Sequence, residues 1–259
     1  MMNRRSLILT PLDSLPLIEP GQNLVEFIYE AVRNLALQVE DGDIFVITQK
    51  IVSKAENRLV NLETVTPSKR AIKISKICGK DARLVELILS ESKDIIRMKQ
   101  DTLIVEHKLG FICANAGIDH SNVKGNWGKA EDWYLLLPED PDNSAKLISN
   151  YFNQKTGIKP GALIIDSHGR AWRKGTVGIS IGTSGVPEIA DLRGKEDLFG
   201  FHLKITQVAA ADELAAAASL VMGQANERVP VVHVRGFPYA LKESKFQEIL
   251  REKKDDLFR

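Results

Sequence analysis

The sequence predicts an α+β fold in which helices flank mixed sheets, and three observations support this prediction. Strand-like and helix-like segments are mixed along the chain without a regular strand–helix–strand alternation. The Rossmann motif G-x-G-x-x-G and the P-loop motif G-x-x-x-x-G-K-[ST] are both absent from the sequence. The 259 residues are many for one domain and few for two. We therefore expect a single unit over residues 1–259, made of two intimately packed lobes with a boundary near residues 60–140.

The order of elements in the first half follows from the spacing of apolar residues. Helical spacing predicts helices, and uniformly apolar or alternating runs between turn residues predict strands. Gly79 and Asp81 are a stop and a cap that separate two neighbouring helices. In order, we predict a strand at 6–10, a helix at 23–39, a strand at 44–48, helices at 65–79 and 81–92, and strands at 102–107 and 110–114.

One strand of the second half is unusual. The run GTVGISIGTSG places Val177, Ile179 and Ile181 on one face and only glycine and serine on the other. This alternation predicts a strand with one bare face. The charged tail at 240–259 is predicted to be a solvated helix. The other predictions are a polar loop at 124–133, a helix within 135–157, strands at 161–166, 201–210 and 229–236, and a helix at 211–223.

Composition excludes several classes of function. The formal net charge of +1 predicts no general affinity for nucleic acid or for an anionic membrane. No apolar run is long enough to span a bilayer, and Pro11 and Asp13 interrupt the stretch that resembles a signal peptide. Cys78 and Cys113 are too few for a disulfide framework and are expected to be buried thiols. We expect a cytoplasmic protein.

A short pattern suggests a hydrolase. GISIG matches G-x-S-x-G, and Ser180 followed by Asp191 or Asp212 and then by His233 gives the chain order of an α/β-hydrolase triad. The nucleophile of such enzymes lies on a sharp turn between a strand and a helix. Ser180 instead lies inside an alternating strand, and His233 lies inside VVHV. We therefore interpret both as strand residues.

Two aspartates that follow apolar runs are candidate metal ligands. Asp119 lies in NAGIDHSN after GFICA, and Asp166 ends the run LIID. Mg²⁺ and Mn²⁺ prefer oxygen ligands and commonly bind one or two carboxylates together with phosphate oxygens. Ser167 and Asn122 offer neutral oxygens beside them. One such aspartate alone is more often a turn residue or a helix cap, so the metal hypothesis depends on the pair.

Cationic residues near the ends of predicted strands indicate a phosphate ligand. Lys54, Arg170 and Arg235 follow such strands, and Arg173 and Lys174 follow Arg170. Arginine and lysine neutralise the phosphate oxygens that a metal leaves free. For Lys174, a solvated basic turn is the simpler interpretation. The residues alone therefore predict an enzyme that binds a metal and a phosphate compound.

Longer motifs carry a family resemblance. In chain order they are LPLI, GDIFVITQKIVSKAE, NAGIDHSNV, IIDSHGRAWRKGTVGISIGTSGV, DLFG, and LVMGQANE followed by VPVVHVRG. Together they resemble the coenzyme F-420-0:L-glutamate ligase family, from about Leu7 to about Gly236. The resemblance implies a GTP-dependent ligase that phosphorylates the carboxylate of the deazaflavin precursor F-420-0. L-glutamate then forms an amide bond, GDP and phosphate are released, and further γ-linked glutamates can follow.

The resemblance also implies site residues. Asp119 and Asp166 would bind one divalent ion, Mn²⁺ or Mg²⁺, Ser167 and Gln224 would bind a second, and a potassium ion is also expected. Gln224 is a departure, since a glutamate can stand at this place in the family, and an amide oxygen brings no charge to a metal. The GTP site is implied at Leu15, Pro16, Leu17, Ile18, Lys54, Asn122, Met222, Gly223, Gln224, Ala225, Asn226, Glu227, Arg228 and Val229.

The remaining expectations concern catalysis and partners. Arg170 and Arg173 are assigned from chemistry to phosphate or substrate carboxylate, beside the two catalytic aspartates. The region of Gln49 and Lys50 aligns weakly with nucleotide contacts of the family. The resemblance further implies a two-lobed ligase fold and a homodimer with the site near the subunit contact. Two alternatives stay open: the same GTP chemistry on another acceptor, and a nucleotide-binding relative without catalysis.

Overall fold

A computed structural model describes residues 6–257 and confirms the α+β prediction. The N-terminal pair Arg4 and Arg5 and the last two residues lie outside this range. The helices are α1 Leu24–Asn34, α2 Gln49–Ala55, α3 Lys69–Cys78, α4 Ala82–Ser90, α5 Pro141–Thr156 and α6 Ala210–Met222. The strands are β1 Ile8–Leu12, β2 Ile44–Thr48, β3 Leu59–Asn61, β4 Ser92–Lys99, β5 Thr102–His107, β6 Ile112–Ala114, β7 Trp133–Leu135, β8 Gly161–Arg170, β9 Arg173–Ser184, β10 Ala190–Asp191, β11 Gln207–Val208 and β12 Val231–Arg235.

A five-stranded sheet forms the centre of the fold, in the order β1-β12-β2-β8-β9. β2 and β8 are parallel and the other neighbours are antiparallel. Phe45 and Ile47 of β2 pack on one face with α1 and α5, and Ile44 and Val46 pack on the other face with α6. Because both faces of β2 are buried, its sequence is a continuous apolar run.

The segment between α2 and α5 forms smaller sheets of its own. β4, β5 and β6 form a three-stranded antiparallel sheet, and β3 pairs with β7. Side chains of this segment, such as Val85 and Leu103, join the same buried cluster as Phe45. The proposed lobe boundary near 60–140 stays a prediction. No helix within residues 6–257 has the length and apolarity that crossing a membrane would require.

The glycine residues of β9 do not form the single bare face that the alternation predicts. The pairing of β8 with β9 shifts by one residue at Ile181, so the residues on either side of this bulge point to opposite faces. A Cβ added at Gly178 would lie 2.6 Å from the carbonyl oxygen of Ala215 in α6. A Cβ added at Gly182 would lie 2.5 Å from the carbonyl carbon of Pro141 in α5. Helices therefore cover both glycines.

Two predictions for the C-terminal half are wrong. The predicted strand at 201–210 is reduced to Gln207–Val208, because residues 201–206 pair with 192–197 only through scattered backbone hydrogen bonds. Phe201 and Ile205 in this stretch remain exposed. Within the described part of the predicted tail helix, 240–257, there are only short 3-10 turns at Phe246–Ile249 and Lys253–Asp255. The tail runs along the protein surface and buries Phe246, so it is not a solvated helix. The sequence analysis also missed α2 and β4.

Candidate active site

A large cavity opens where β2, β6, the β8–β9 hairpin and the loop after α6 meet. Its volume is about 2380 Å³. Pockets for a single small ligand usually measure roughly 300–1,000 Å³, so this cavity has room for more than one ligand. It is lined by Asp119, Asp166, Ser167, Arg170 and every residue that the family resemblance implies for GTP.

Asp166 enters this cavity because two neighbouring strands differ in length. The prediction that it ends a strand is wrong, since β8 continues to Arg170 in antiparallel pairing with β9. Its parallel partner β2 ends at Thr48, which pairs with Ile165. Asp166 is therefore the first residue of β8 beyond the edge of β2, where α2 begins.

Asp119 is held by its own backbone. Asn115 and Ala116, in the turn after β6, both have positive φ, and the Asn115 side chain accepts a hydrogen bond from the Leu103 N–H. Asp119 then exchanges two backbone hydrogen bonds with Leu135 of β7, each of 2.9 Å. The polar run NAGIDHSN thus forms a specific turn that directs one carboxylate into the cavity.

Gln49, the first residue of α2, joins the two carboxylates. Its Nε2 donates to Oδ2 of Asp119 at 2.6 Å and lies 3.5 Å from Oδ1 of Asp166. Its Oε1 accepts a hydrogen bond of 2.9 Å from the hydroxyl of Ser53, one turn along the helix. Gln49 is buried. One fixed amide therefore sets how far apart the two carboxylates lie.

Cationic and imidazole groups complete the surroundings of the two aspartates. The Lys50 ammonium lies 3.3 Å from Oδ2 of Asp119 and donates to the carbonyl of Ser121 at 2.8 Å. His168, two residues beyond Asp166 in β8, places Nε2 2.8 Å from Oδ2 of Asp166. Each carboxylate thus contacts Gln49 and one further nitrogen-bearing side chain.

The pKa values of the two carboxyl groups shift in opposite directions. Burial raises the pKa of Asp119, and the nearby charge of Asp166 adds to this rise, while Lys50 opposes it. Burial also acts to raise the pKa of Asp166, but hydrogen bonds from His168, the Ser167 backbone and Gln49 outweigh it and hold this pKa below its usual value. Asp166 is therefore the carboxylate that stays ionised more readily.

The residues present fit a hard divalent cation bound partly by a substrate. Asp119 and Asp166 supply carboxylate oxygens to one region of the cavity, and Ser167 and Gln224 line the same cavity. Among residues 6–257 there is no cluster of three or more histidine, cysteine, aspartate or glutamate side chains that could hold a metal. Two carboxylates together with neutral or phosphate oxygens are the usual environment of Mg²⁺.

The predicted GTP residues come from distant segments, and hydrogen bonds join three of them at the cavity. Lys54 of α2 donates to the carbonyl of Asn122 at 2.9 Å, and the Asn122 amide donates to the carbonyl of Ala225 at 3.0 Å. In the same loop, Glu227 accepts a hydrogen bond of 2.8 Å from the Ala225 N–H. Burial and the charge of Lys50 lower the pKa of Lys54. A partly desolvated lysine that lines a cavity is suited to contact a phosphate group.

The cationic candidates separate into two groups. Arg170 lines the cavity and donates to the carbonyl of Gly175 at 3.3 Å. Arg173 and Lys174 are exposed at the outer end of the β8–β9 hairpin and are not among the residues that line the cavity. Arg235 forms a bidentate pair with Asp43, at 2.9 and 2.7 Å. Of these three arginines, the structure places only Arg170 in the lining of the cavity.

The hydrolase pattern has no triad geometry. The hydroxyl of Ser180 donates to Glu188 at 2.7 Å, and the backbone N–H of Ser180 donates to Asp212. His233 belongs to β12, and its Nε2 lies 2.9 Å from Oδ2 of Asp43. Ser180 and His233 thus contact different carboxylates, and Ser180 is buried inside β9. The interpretation of both as strand residues holds.

The sequence analysis missed part of the cavity wall. Ile96, Arg97, Ile104 and Ile112, from β4, β5 and β6, also line the cavity, and none of them was predicted as a site residue. The alternation in TLIVEH predicts a strand, but it does not identify which face of that strand meets a cavity. Gln49 was likewise given only a weak nucleotide role, because TQK fits this part of the family pattern less well. Its two carboxylate partners are distant in sequence and gave no signal.

Comparison with known proteins gives consistent matches over almost the whole chain. The F420-0:Gamma-glutamyl ligase family matches residues 13–236. The chain is 43% identical over 249 residues to the coenzyme F420:L-glutamate ligase of Methanothermobacter thermautotrophicus, covering 95% of this chain and 96% of the relative. It is 42% identical to that of Methanocaldococcus jannaschii, covering 95% and 94%. It is 41% identical to that of Archaeoglobus fulgidus, covering 96% and 95%.

Proposed function

Because the chain belongs to the F420-0:gamma-glutamyl ligase family and is a ligase, we propose that it uses GTP to join L-glutamate to the carboxylate of F-420-0. In the first step, an oxygen of the acceptor carboxylate attacks the γ-phosphorus of GTP. The bond from that phosphorus to the β–γ bridging oxygen breaks, and GDP leaves. In the second step, the glutamate amine attacks the acyl carbon, phosphate leaves, and the amine gives up a proton to solvent. Further γ-linked glutamates would be added by the same two steps.

The observation that carries this proposal is the position of the carboxylate pair. Asp119 and Asp166 lie beside one amide in a cavity that the residues assigned to GTP also line. Phosphoryl transfer depends mainly on positioning and on neutralising charge. A bound Mg²⁺ or Mn²⁺ would neutralise phosphate oxygens, and we propose Asp119 and Asp166 for one ion and Ser167 and Gln224 for a second. We also propose a potassium ion as a further cofactor.

Cationic side chains of the chain would bind the remaining phosphate charge. Lys54 is next to the loop that contains Ala225, through the carbonyl of Asn122. Lys50 contacts Asp119 and lines the same cavity. Arg170 also lines the cavity, and we assign it to the acceptor or to glutamate. An ammonium or guanidinium group held near phosphate lowers the barrier by offsetting the charge of the transferring group.

We also propose that the protein acts as a homodimer in a reducing cytoplasm. Leu198 and Phe199 are 96% and 93% exposed at the end of an excursion between β10 and β11. Leu220 on α6 is also largely exposed. Exposed apolar groups of this size often mark a protein contact. Cys78 and Cys113 are buried and unpaired, which supports a reducing compartment.

Mass spectrometry of the products tests the proposed function. F-420-0 is incubated with the protein, GTP, Mn²⁺ and L-glutamate, and each component is omitted in turn. The expected result is a gain of glutamyl units that requires every component. GTP binding without any gain would favour another acceptor or a binding protein without catalysis. A gain that does not require GTP would contradict the mechanism.

A further inference from the structure

The C-terminal segment beyond the family match packs against the three-stranded sheet β4-β5-β6 and the turn between β5 and β6. Phe246 is 2% exposed and contacts the ring of Phe111 edge-on, with ring centroids 5.7 Å apart. Farther along, a methyl group of Leu250 covers Gly110, where an added Cβ would come within 2.9 Å of it. These contacts hold the segment against the protein surface, although its charged sequence predicts that it extends into solvent.

An ion pair holds the next part of the same segment. Nζ of Lys253 lies 2.7 Å from Oε2 of Glu106, whose side chain is 6% exposed. A carboxylate that buried is costly unless cations or hydrogen-bond donors compensate its charge. The lysine side chain itself is mostly exposed, and the buried partner gives this pair more weight than an ordinary surface pair. Three residues later, Asp256 lines the large cavity.

The segment reaches the cavity beside the three-stranded sheet β4-β5-β6. Glu106 of β5 pairs in register with Ile112 of β6, and Ile112 lines the cavity together with Ile96 and Ile104. The residues assigned to GTP lie on other segments: the N-terminal stretch, α2, the turn after Asp119 and the loop after α6. If GTP binds to those segments, the isoleucine side of the cavity, formed by β4, β5 and β6, is left for the acceptor.

The chemistry of this end suits an acceptor with a flat apolar ring and an anionic group. The three isoleucines offer an apolar surface, and Arg97 and Arg170 line the same cavity. Apolar surface favours burial of a ring system, and a guanidinium pairs well with phosphate or carboxylate oxygens. The cavity thus provides separate places for a nucleotide and for such an acceptor.

We propose that the C-terminal segment 246–256 forms the outer wall of the acceptor end of the cavity, held in place by the ion pair between Lys253 and Glu106. This inference rests on the proposed function, since it assigns the isoleucine side to the acceptor. In this role the tail determines how tightly the acceptor is held and has no part in binding GTP. Lys253 is a positioning residue, because it acts through the tail and does not touch the substrate.

The test compares two neighbouring lysines. Lys253→Met removes the contact with Glu106, whereas Lys254→Met removes the same charge from a lysine whose ion pair, with Glu252, lies within the tail. F-420-0 binding is measured by equilibrium dialysis without GTP or glutamate, and GTP binding is measured separately. We expect Lys253→Met to weaken acceptor binding roughly fivefold and to leave GTP binding unchanged. Lys254→Met should match the wild type, and Lys253→Arg should restore acceptor binding.

A truncation makes the test independent of one side chain. Ending the chain after Arg251 removes Lys253 and Asp256 but keeps the buried Phe246 and the half-buried Leu250. The acceptor should then bind at least roughly tenfold more weakly, with GTP binding preserved. If acceptor binding is unchanged in both Lys253→Met and the truncated protein, the tail does not form a wall of the acceptor site. This conclusion would hold even if the wild type is an active ligase. If the wild type binds GTP but neither binds F-420-0 nor adds glutamate to it, the proposed acceptor is wrong. The role of the tail at the acceptor site is then wrong as well.

Discussion

The amide nitrogen of Gln49 lies 2.6 Å from Oδ2 of Asp119. This contact joins the start of α2 to a turn 70 residues farther along the chain. The same nitrogen lies 3.5 Å from Asp166. Because Ser53 donates to the amide oxygen, the amide is oriented with its nitrogen toward the carboxylates. Gln49 therefore positions the two proposed metal ligands without being one itself.

Replacing Gln49 should affect metal use more than folding. In Gln49→Leu, the carboxylates lose their shared donor, so both spacing and orientation relax. We expect the Mn²⁺ concentration for half-maximal activity to rise about tenfold, since groups that orient metal ligands typically contribute 10–100-fold to metal affinity or activity. Activity measured across a Mn²⁺ series gives this value. Gln100→Leu, on the exposed turn after β4, is the control. An unchanged Mn²⁺ requirement would remove Gln49 from this role.

Asp166 is expected to be essential for turnover. Asp166→Asn keeps the shape of the side chain but removes the charge that we assign to a metal, so turnover should fall by about a hundredfold or more. The rate of glutamyl transfer and the thermal unfolding midpoint are measured on the same sample. Asp191→Asn, an exposed carboxylate paired with Arg193, is the control. Full activity in Asp166→Asn would show that the metal assignment is wrong.

Lys54 should act on GTP and not on the acceptor. Its ammonium is partly desolvated beside the loop of the proposed nucleotide site, so Lys54→Met should weaken GTP binding about tenfold, as loss of a charge-assisted contact would. Calorimetric titration with GTP measures the change. Lys76→Met in the last turn of α3 removes a lysine outside the cavity lining and should change nothing. Equal affinities for the three proteins would exclude Lys54 from the site.

Glu188 should make stability depend on pH. Its carboxyl group is fully buried, and burial, with further contributions from Asp212 and Asp142, raises its pKa from 4.5 to about 8 despite the hydrogen bond from Ser180. Between these values the folded protein binds more protons than the unfolded chain does. The free energy of unfolding therefore falls as pH rises, by at most about 1.4 kcal/mol per pH unit from this group.

Thermal unfolding from pH 5 to pH 8 would measure this contribution. The wild type should lose stability toward pH 8, and Glu188→Gln, which remains neutral, should lose less of it over the same range. Ser180→Ala should leave the sign of the pH dependence unchanged, because burial of the carboxyl group is its main cause. Parallel curves for the wild type and Glu188→Gln would contradict a protonated Glu188.

Two glycines of the β8–β9 hairpin should respond differently to the same substitution. Gly178→Ala would press a methyl group against the backbone of Ala215, and overpacking of this kind costs about 1–3 kcal/mol. Gly169→Ala meets no atom within 4 Å and should cost little. Urea unfolding of both variants gives the comparison. Similar stabilities would mean that α6 can move away from the strand at little cost.

The sequence by itself determined the elements whose pattern is local. The apolar spacing from Leu24 predicts α1, and the continuous run at Ile44–Thr48 predicts β2, because a buried face imposes its period on nearby residues. Long motifs in a fixed order indicated the family. Asp119 and Asp166 were predicted to be metal ligands because each follows an apolar run. Nothing in the local pattern indicated that the glycine face of β9 changes direction at Ile181.

Only the tertiary structure decided which residues meet. Gln49 lies 70 residues from Asp119 and 117 from Asp166, so no spacing in the chain indicates that one amide lies between them. The tail was predicted to be a solvated helix because its residues are charged. Phe246 and the ion pair of Lys253 with Glu106 instead hold it against the three-stranded sheet β4-β5-β6. Periodicity reports the burial of a face, whereas a site depends on contacts between segments that only folding brings together.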